Sequence, residues 1–177
     1  FEKALFAHQK MYGLNFVALR YFNAAGAAYG IGEDHRPETH LIPVVLKVAQ
    51  GHSPYVTVNG ADYPTKDGTC IRDYVHVLDL ASAHLRAFQS LEGGESAVYN
   101  LGSGVGHSVK EIIDFCRDMT GHPIPVKMGE RRQGDPPVLV ASSEKIRREL
   151  GWRQRYSMRD ILASAWQWHR EHPHGYG

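Results

Sequence analysis

The sequence predicts an α/β or α+β protein built around a largely buried sheet, and three observations carry that expectation. "NFVALRYF" (15–22) is a short apolar run with turn residues on both sides, the pattern of a parallel strand buried on both faces. "SAVYNLGSG" (96–104) is a second such run, leading straight into glycines. Segments with helical spacing stand before, between and after the two, as βα units require.

The elements follow in order. Residues 1–12 carry apolar residues at helical spacing and are stopped by Gly13, which leads into the strand at 15–22. Residues 24–40 are Gly-rich and mixed in charge, a long loop of the kind that usually carries function. "HLIPVVLKVAQG" (40–51) predicts a helix ended by Gly51, with Pro43 tolerated in its first turn. "YVTVNG" (55–60) predicts a strand, and "ADYPTKDGT" after it is turn chemistry throughout. "VLDLASAHLRAFQSL" (77–91) is helical in spacing. Ser108 with Glu111 forms a capping box for a helix that stops at Gly121. Two more capped helices are expected over 142–152 and 157–172, the second started by Ser157 and Asp160.

Composition narrows the class. The chain has 177 residues, enough for one domain or parts of two. A net charge of +1 gives no electrostatic argument for nucleic acid or an anionic membrane. No apolar run approaches the roughly 20 residues that span a bilayer. Cys70 and Cys116 are too few for a disulfide framework and lack metal-ligand spacing, so a cytoplasmic setting is the default. The chain opens at Phe1 with helical spacing already under way and no features of a signal peptide, which reads as a piece of something longer.

Several stretches invite a site. "LGSGVGHS" lies between a strand and a helix, yet its glycines at 102, 104 and 106 do not make G-x-G-x-x-G, and local packing explains them better. His169, His172 and His174 lack a carboxylate or thiol at ligand spacing, and a solvated helix end accounts for them. The basic run 153–159 reads as wet surface. "DGTCIRDYVHVLDLASAH" (67–84) is more pointed, because Arg72 and Asp73 sit in a semi-buried run where charge is costly unless paired. In "GERRQGDPP" (129–137), Gly-Asp-Pro-Pro fixes a turn, which suits Arg132 for bidentate capture of phosphate. Arg72 and Arg132 could therefore bracket one diphosphate, with Asp135 accepting a hydroxyl or steadying an arginine. Alternatively Asp73 simply neutralises Arg72.

Taken together, "LRYFNAAGA", "ETHLIP", "VNGADYPTKDGTCIRDYVHVLDLA", "VYNLGSGVGHSV", "RRQGDPP" and "ELGW" resemble the UDP-glucose 4-epimerases of the extended short-chain dehydrogenase/reductase family, in order and spacing along the whole chain. The resemblance implies the C-terminal part of an NAD-binding Rossmann sheet, its last two strands, plus a smaller α/β substrate-binding domain. Residues 1–26 and 95–120 would close the nucleotide-binding domain, and 27–94 with 121–177 would bind the UDP-sugar. The glycine fingerprint and the catalytic Tyr-x-x-x-Lys of the family would lie upstream, so this chain is expected to hold no catalytic residue and to be inactive alone.

Carried over by position, Phe22 and Tyr21 would lie near the nicotinamide of NAD. Asn23, His40 and Leu41 would contact the sugar nucleotide, and Thr57, Val58 and Asn59 would line the uracil. Arg72 and Arg132 would hold the diphosphate and Asp135 a ribose hydroxyl. Leu139 borders the sugar pocket where some members carry Tyr. The implied ligands are UDP-galactose and UDP-glucose, and the full-length assembly a homodimer. Dehydration or decarboxylation of a nucleotide sugar on the same scaffold, or a non-catalytic UDP-binding fragment, are the alternatives.

Overall fold

The computed structural model describes residues 1–177. In chain order the elements are α1 (Glu2–Tyr12), β1 (Val17–Tyr21), β2 (Asn23–Ala25), α2 (Leu41–Ala49), β3 (Val56–Asn59), β4 (Ile71–His76), α3 (Val77–Ser90), β5 (Ala97–Leu101), β6 (Gly106–Ser108), α4 (Val109–Thr120), β7 (Val126–Gly129), β8 (Val138–Leu139), α5 (Glu144–Leu150) and α6 (Met158–Glu171). The fold is α/β with mainly parallel pairing: β1 with β5, β3 with β7, and β4 with both β2 and β8. Only β4 with β6 is antiparallel.

β4 is the hub. Its first residues lie between β6 and β8, with Arg72 opposite His107 on one side and Leu139 on the other, while its last three pair with β2. Because side chains alternate across a strand, Tyr74 and Val75 enter different cores. Tyr74 joins Ile42, Val45 and Leu46 of α2, Val56 and Val58 of β3, Ile112 and Ile113 of α4, and Ile161 and Leu162 of α6. Val75 joins Leu80 and Ala83 of α3, Tyr99 and Leu101 of β5, Ile146 of α5, and Trp152. α3 lies with the β1–β5 pair, and α4 with α2 and α6, because their apolar faces match those cores.

The helix signals act as read. Both capping boxes form, at Ser108/Glu111 and Ser157/Asp160, while Gly13 and Gly121 end α1 and α4 in the left-handed conformation. Pro43 sits in the first turn of α2. Three expectations need correction. β1 is half-buried rather than buried on both faces, and Tyr21 is 48% exposed. β5 is its one partner strand, so no second neighbour covers it. At α5, Ser143 makes no capping bond, because its hydroxyl is engaged with the Gly102 peptide, donating to the carbonyl and accepting from the N–H, both at 2.8 Å. His169 is buried rather than solvated, since the last turns of α6 pack inward around Trp168.

Two buried histidines give the fold a pH dependence. Burial pushes both His76 and His169 below their ordinary 6.5, so the unfolded chain binds more protons than the folded one near and below that value. Their stabilising contribution is complete above pH 6.5 and is lost on acidification. Glu33, pushed up by burial, tempers the fall at its acid end. The melting temperature is expected to drop between pH 7.5 and 5.5, by about 2–4 °C for each kcal/mol lost. His169→Gln should flatten that drop; an identical slope in this variant would dismiss His169 as the cause.

Candidate functional site

The site grows outward from Asp73, which is fully buried at the centre of β4. Four donors satisfy its carboxylate. The Ser103 N–H and hydroxyl reach one oxygen at 2.8 and 2.6 Å, and the Gly104 and Ala141 N–H groups reach the other at 3.1 Å each. Here the glycines of "LGSG" find their reason. A Cβ on Gly102 would lie 2.5 Å from an Asp73 oxygen and 2.4 Å from the Ala141 methyl. The turn that resembles a phosphate loop is wrapped around the chain's own carboxylate.

Asp73 therefore does not neutralise Arg72, which points to the other face of the strand. The Arg72 side chain is 12% exposed, donates to the Ile71 carbonyl at 2.7 Å and forms an ion pair with Asp135. The turn bearing Asp135 is closed by its N–H donating to the Arg132 carbonyl at 3.3 Å, so both expected phosphate and ribose groups share one turn. Leu139 adjoins Arg72 across the β4–β8 pair and is 41% exposed. Burial pushes the Cys70 thiol up, with Arg72 the largest opposing influence. The structure thus brings Arg72, Arg132, Asp135 and Leu139 together.

β3 supplies an adjoining wall. Val56 donates to Pro125 and Gly60 to Gly129, so even-numbered residues bond β7 and the peptide groups of Thr57 and Asn59 face the unpaired edge. Val58 is 3% exposed and its side chain belongs to the core, leaving peptide groups as what β3 can offer a ligand there. Thr57 and Asn59 flank Gly129, where an added Cβ would come within 2.9 Å of Thr57 Cγ2 and 3.3 Å of Asn59 Oδ1. Gly129 thus lets β7 pack closely against Thr57 and Asn59. Arg131, bonded to Asp62 at 2.6 Å, ties this wall to the phosphate-side turn.

The other expected residues are placed more loosely. Asn23 donates to the Asp73 carbonyl at 2.7 Å, beside Arg72 on the sheet. Phe22 is half-buried and Tyr21 exposed at the carboxyl end of β1, where Tyr21 lines a shallow groove with His84 and Phe88. His40 precedes α2 and turns its ring to Glu33 and Glu38, at 2.9 and 3.0 Å, rather than toward the arginines. Leu41 opens α2 and packs on the larger core. Sequence reasoning passed over Tyr63 and Arg131, which stack at 4.2 Å beside the phosphate-side turn. The adjacency of Arg131 to Arg132 was the available signal.

A second concave region of about 440 Å³ is lined by His76, Tyr156, Asp160 and Ser164. Its Ser–His contact invites a nucleophile reading that the hydrogen bonds exclude. His76 Nδ1 accepts from the Leu78 N–H at 3.0 Å, so the proton sits on Nε2, which faces Ser164 Oγ at 3.1 Å. A nitrogen already carrying a proton cannot take one from Ser164. The pair is a cap and a packing contact.

Comparison with known proteins identifies the family. A profile of the NAD dependent epimerase/dehydratase family matches residues 1–102. The UDP-glucose 4-epimerase of Halalkalibacterium halodurans is 55% identical over 179 aligned residues, covering 99% of this chain and 54% of that protein. A crystal structure described as UDP-glucose 4-epimerase superposes with a TM-score of 0.94 at 51% identity, over 99% of this chain and 55% of that one. The Bifidobacterium longum UDP-glucose 4-epimerase, solved with NAD+ and UDP, gives 0.93 at 40% identity, over 99% and 53%. The chain spans about half the length of the curated relatives it matches. By family match, overall fold and motif order, the chain belongs to the NAD dependent epimerase/dehydratase family.

Proposed function

We propose that this chain is the UDP-sugar anchor of a UDP-glucose 4-epimerase that works with NAD. The carrying observation is the placement of Arg72, pinned between β6 and β8 and sharing one small region with Arg132 and Asp135. Two guanidiniums fixed by a sheet and a turn fit the two phosphates of a nucleoside diphosphate, each contact contributing about 1.5–3 kcal/mol. The uracil is read by the peptide groups of Thr57 and Asn59 on the free β3 edge. Asp135 takes a ribose hydroxyl, and Asn23 lies toward the sugar. His40 and Leu41 close the far side.

Tyr21 and Phe22 offer the cofactor a flank only. The one glycine turn that could hold its phosphates is filled by Asp73, and the 177 residues contain no Tyr-x-x-x-Lys. Bound NAD would supply removal of hydride from C4 of the hexose and its return to the opposite face. The part of this chain in that chemistry is to hold the diphosphate still while the 4-keto hexose, gripped weakly, turns over between the two transfers.

The test is conversion of UDP-galactose to UDP-glucose by the chain alone and by its parent extended upstream. Activity in the extended protein only is the expected result. A parent that binds UDP without epimerising would favour dehydration or decarboxylation on the same scaffold. A chain that converts substrate alone would overturn its role as an anchor without catalytic residues.

Leu139 carries a specificity prediction. It is shorter than Tyr and adjoins Arg72, leaving room at the sugar for an N-acetyl substituent. In the extended protein, Leu139→Tyr should lower kcat/KM for UDP-N-acetylgalactosamine about tenfold or more, with less than a threefold change for UDP-galactose, a steric exclusion of the size pockets achieve. Equal losses on both sugars would sink the idea.

A further inference from the structure

The loop that leads into α2, "GEDHRPETH" (32–40), gathers titratable side chains away from the arginine cluster. The ligand atoms of Glu33, His35 and His40 all lie within 4.8 Å of one another. Glu33 Oε1 is their meeting point, 3.3 Å from His35 Nε2 and 2.9 Å from His40 Nδ1. Glu38 Oε1 is 3.0 Å from the same Nδ1 and is fixed by the Thr39 and His40 N–H groups, at 2.8 Å each.

The protons at hand do not satisfy this arrangement. His40 Nδ1 carries at most one, so it can donate to only one of the two carboxylate oxygens beside it. Burial pushes the Glu33 carboxyl up, against His40, and the Glu38 carboxylate adds to that rise. Two carboxylates and two imidazoles with too few protons are short of positive charge. The frame around them is held from outside. A Cβ on Gly32 would come within 2.3 Å of the Trp168 ring, and the Tyr176 hydroxyl accepts from the Gly32 N–H and donates to its carbonyl, both at 3.0 Å. Asp34 accepts from the Tyr176 N–H at 3.2 Å, and Arg36 donates to the His174 carbonyl at 3.2 Å.

We propose that Glu33, His35 and His40 bind one divalent transition-metal ion, with zinc the best fit. Two imidazoles and a carboxylate suit zinc, whereas magnesium and calcium favour oxygen ligands throughout. The four residues between His35 and His40 match the usual spacing of zinc-binding histidines. At about 2.0–2.1 Å to each donor, tetrahedral zinc sets its ligands about 3.3 Å apart. The 2.9 and 3.3 Å contacts need only a slight opening to reach that. Both histidine side chains are more than half exposed, so the ion enters from solvent and water completes its shell. Bound there, it ties the loop to the first residue before α2. The inference stands apart from the nucleotide-anchor reading, in which His40 and Leu41 close the far side through the start of α2 and not through the imidazole.

The test uses the upstream-extended protein, freed of any histidine tag, stripped with EDTA and titrated with Zn2+ against a chromophoric chelator. One ion should bind per chain, and Co2+ in its place should show the visible bands of a four-coordinate ion. His35→Gln and Glu33→Gln should each weaken Zn2+ binding about tenfold or more. His52→Gln, at an exposed histidine stacked on His174, should change it by less than twofold. Zn2+ should raise the melting temperature of the wild type and of His52→Gln, but not of His35→Gln. The His35 side chain is 56% exposed, so that variant should fold and melt like the wild type without metal. Absence of Zn2+ binding, binding unchanged in His35→Gln and Glu33→Gln, or binding lost with His52→Gln instead would each overturn the proposal.

Discussion

Arg72→Ala in the upstream-extended protein is expected to raise the Michaelis constant for UDP-galactose by roughly ten- to a hundredfold, the loss of one or two charge-assisted contacts. Arg147→Ala, on the exposed face of α5, should leave it within twofold. The turnover number should change far less than the Michaelis constant, since the diphosphate is held alike in ground and transition states. Folding should survive, because the partner left behind, Asp135, is partly exposed and can recover water. If the two variants behave alike, Arg72 belongs to the scaffold and not to the anchor.

Asp73→Ala is expected to do the reverse, abolishing the fold without touching the ligand. Removing the carboxylate strands the buried Ala141 N–H and frees the half-buried Ser103 and exposed Gly104 N–H groups that hold the turn. The buried Ala141 donor alone costs about 1–3 kcal/mol, and loss of the three further bonds adds about 0.5–1.5 kcal/mol each, a large share of a typical domain's stability. The variant should accumulate in the insoluble fraction and show no cooperative melt by circular dichroism. A soluble Asp73→Ala protein melting within a few degrees of wild type would refute this account of the glycine turn.

The contrast between these neighbours shows what the sequence could reveal. That Arg72 and Asp73 needed partners was legible, because charge in a semi-buried run demands them. Which partners they have was not, because Asp73 is satisfied from 30, 31 and 68 residues away and Arg72 from 63. Signals confined to one turn were read correctly, as at Ser108/Glu111 and Gly121, since their bonds close within a few residues. Ser143 looked like a helix cap by the same local logic and was diverted to Gly102 by tertiary contact. The short strands β2, β6, β7 and β8 carry no periodicity of their own and exist through pairing with distant segments. At the site, motif order indicated Arg72, Arg132 and Asp135. The inward turn of Val58 needed the register of β3, and the stack of Arg131 on Tyr63 needed a contact between distant turns.

The placement of opposite charges on successive residues of β4 also bears on how the chain finds its fold. A one-residue slip of this strand against β6 and β8 would exchange the two faces. The guanidinium would then enter a cradle made only of donors, and the carboxylate would face Asp135 in place of its counter-charge. Both errors are repulsive, the first more so because the Asp73 cradle is buried. Arg72 and Asp73 therefore act as an alignment key, setting an electrostatic penalty on a misthreaded β4 beside the one its apolar residues impose.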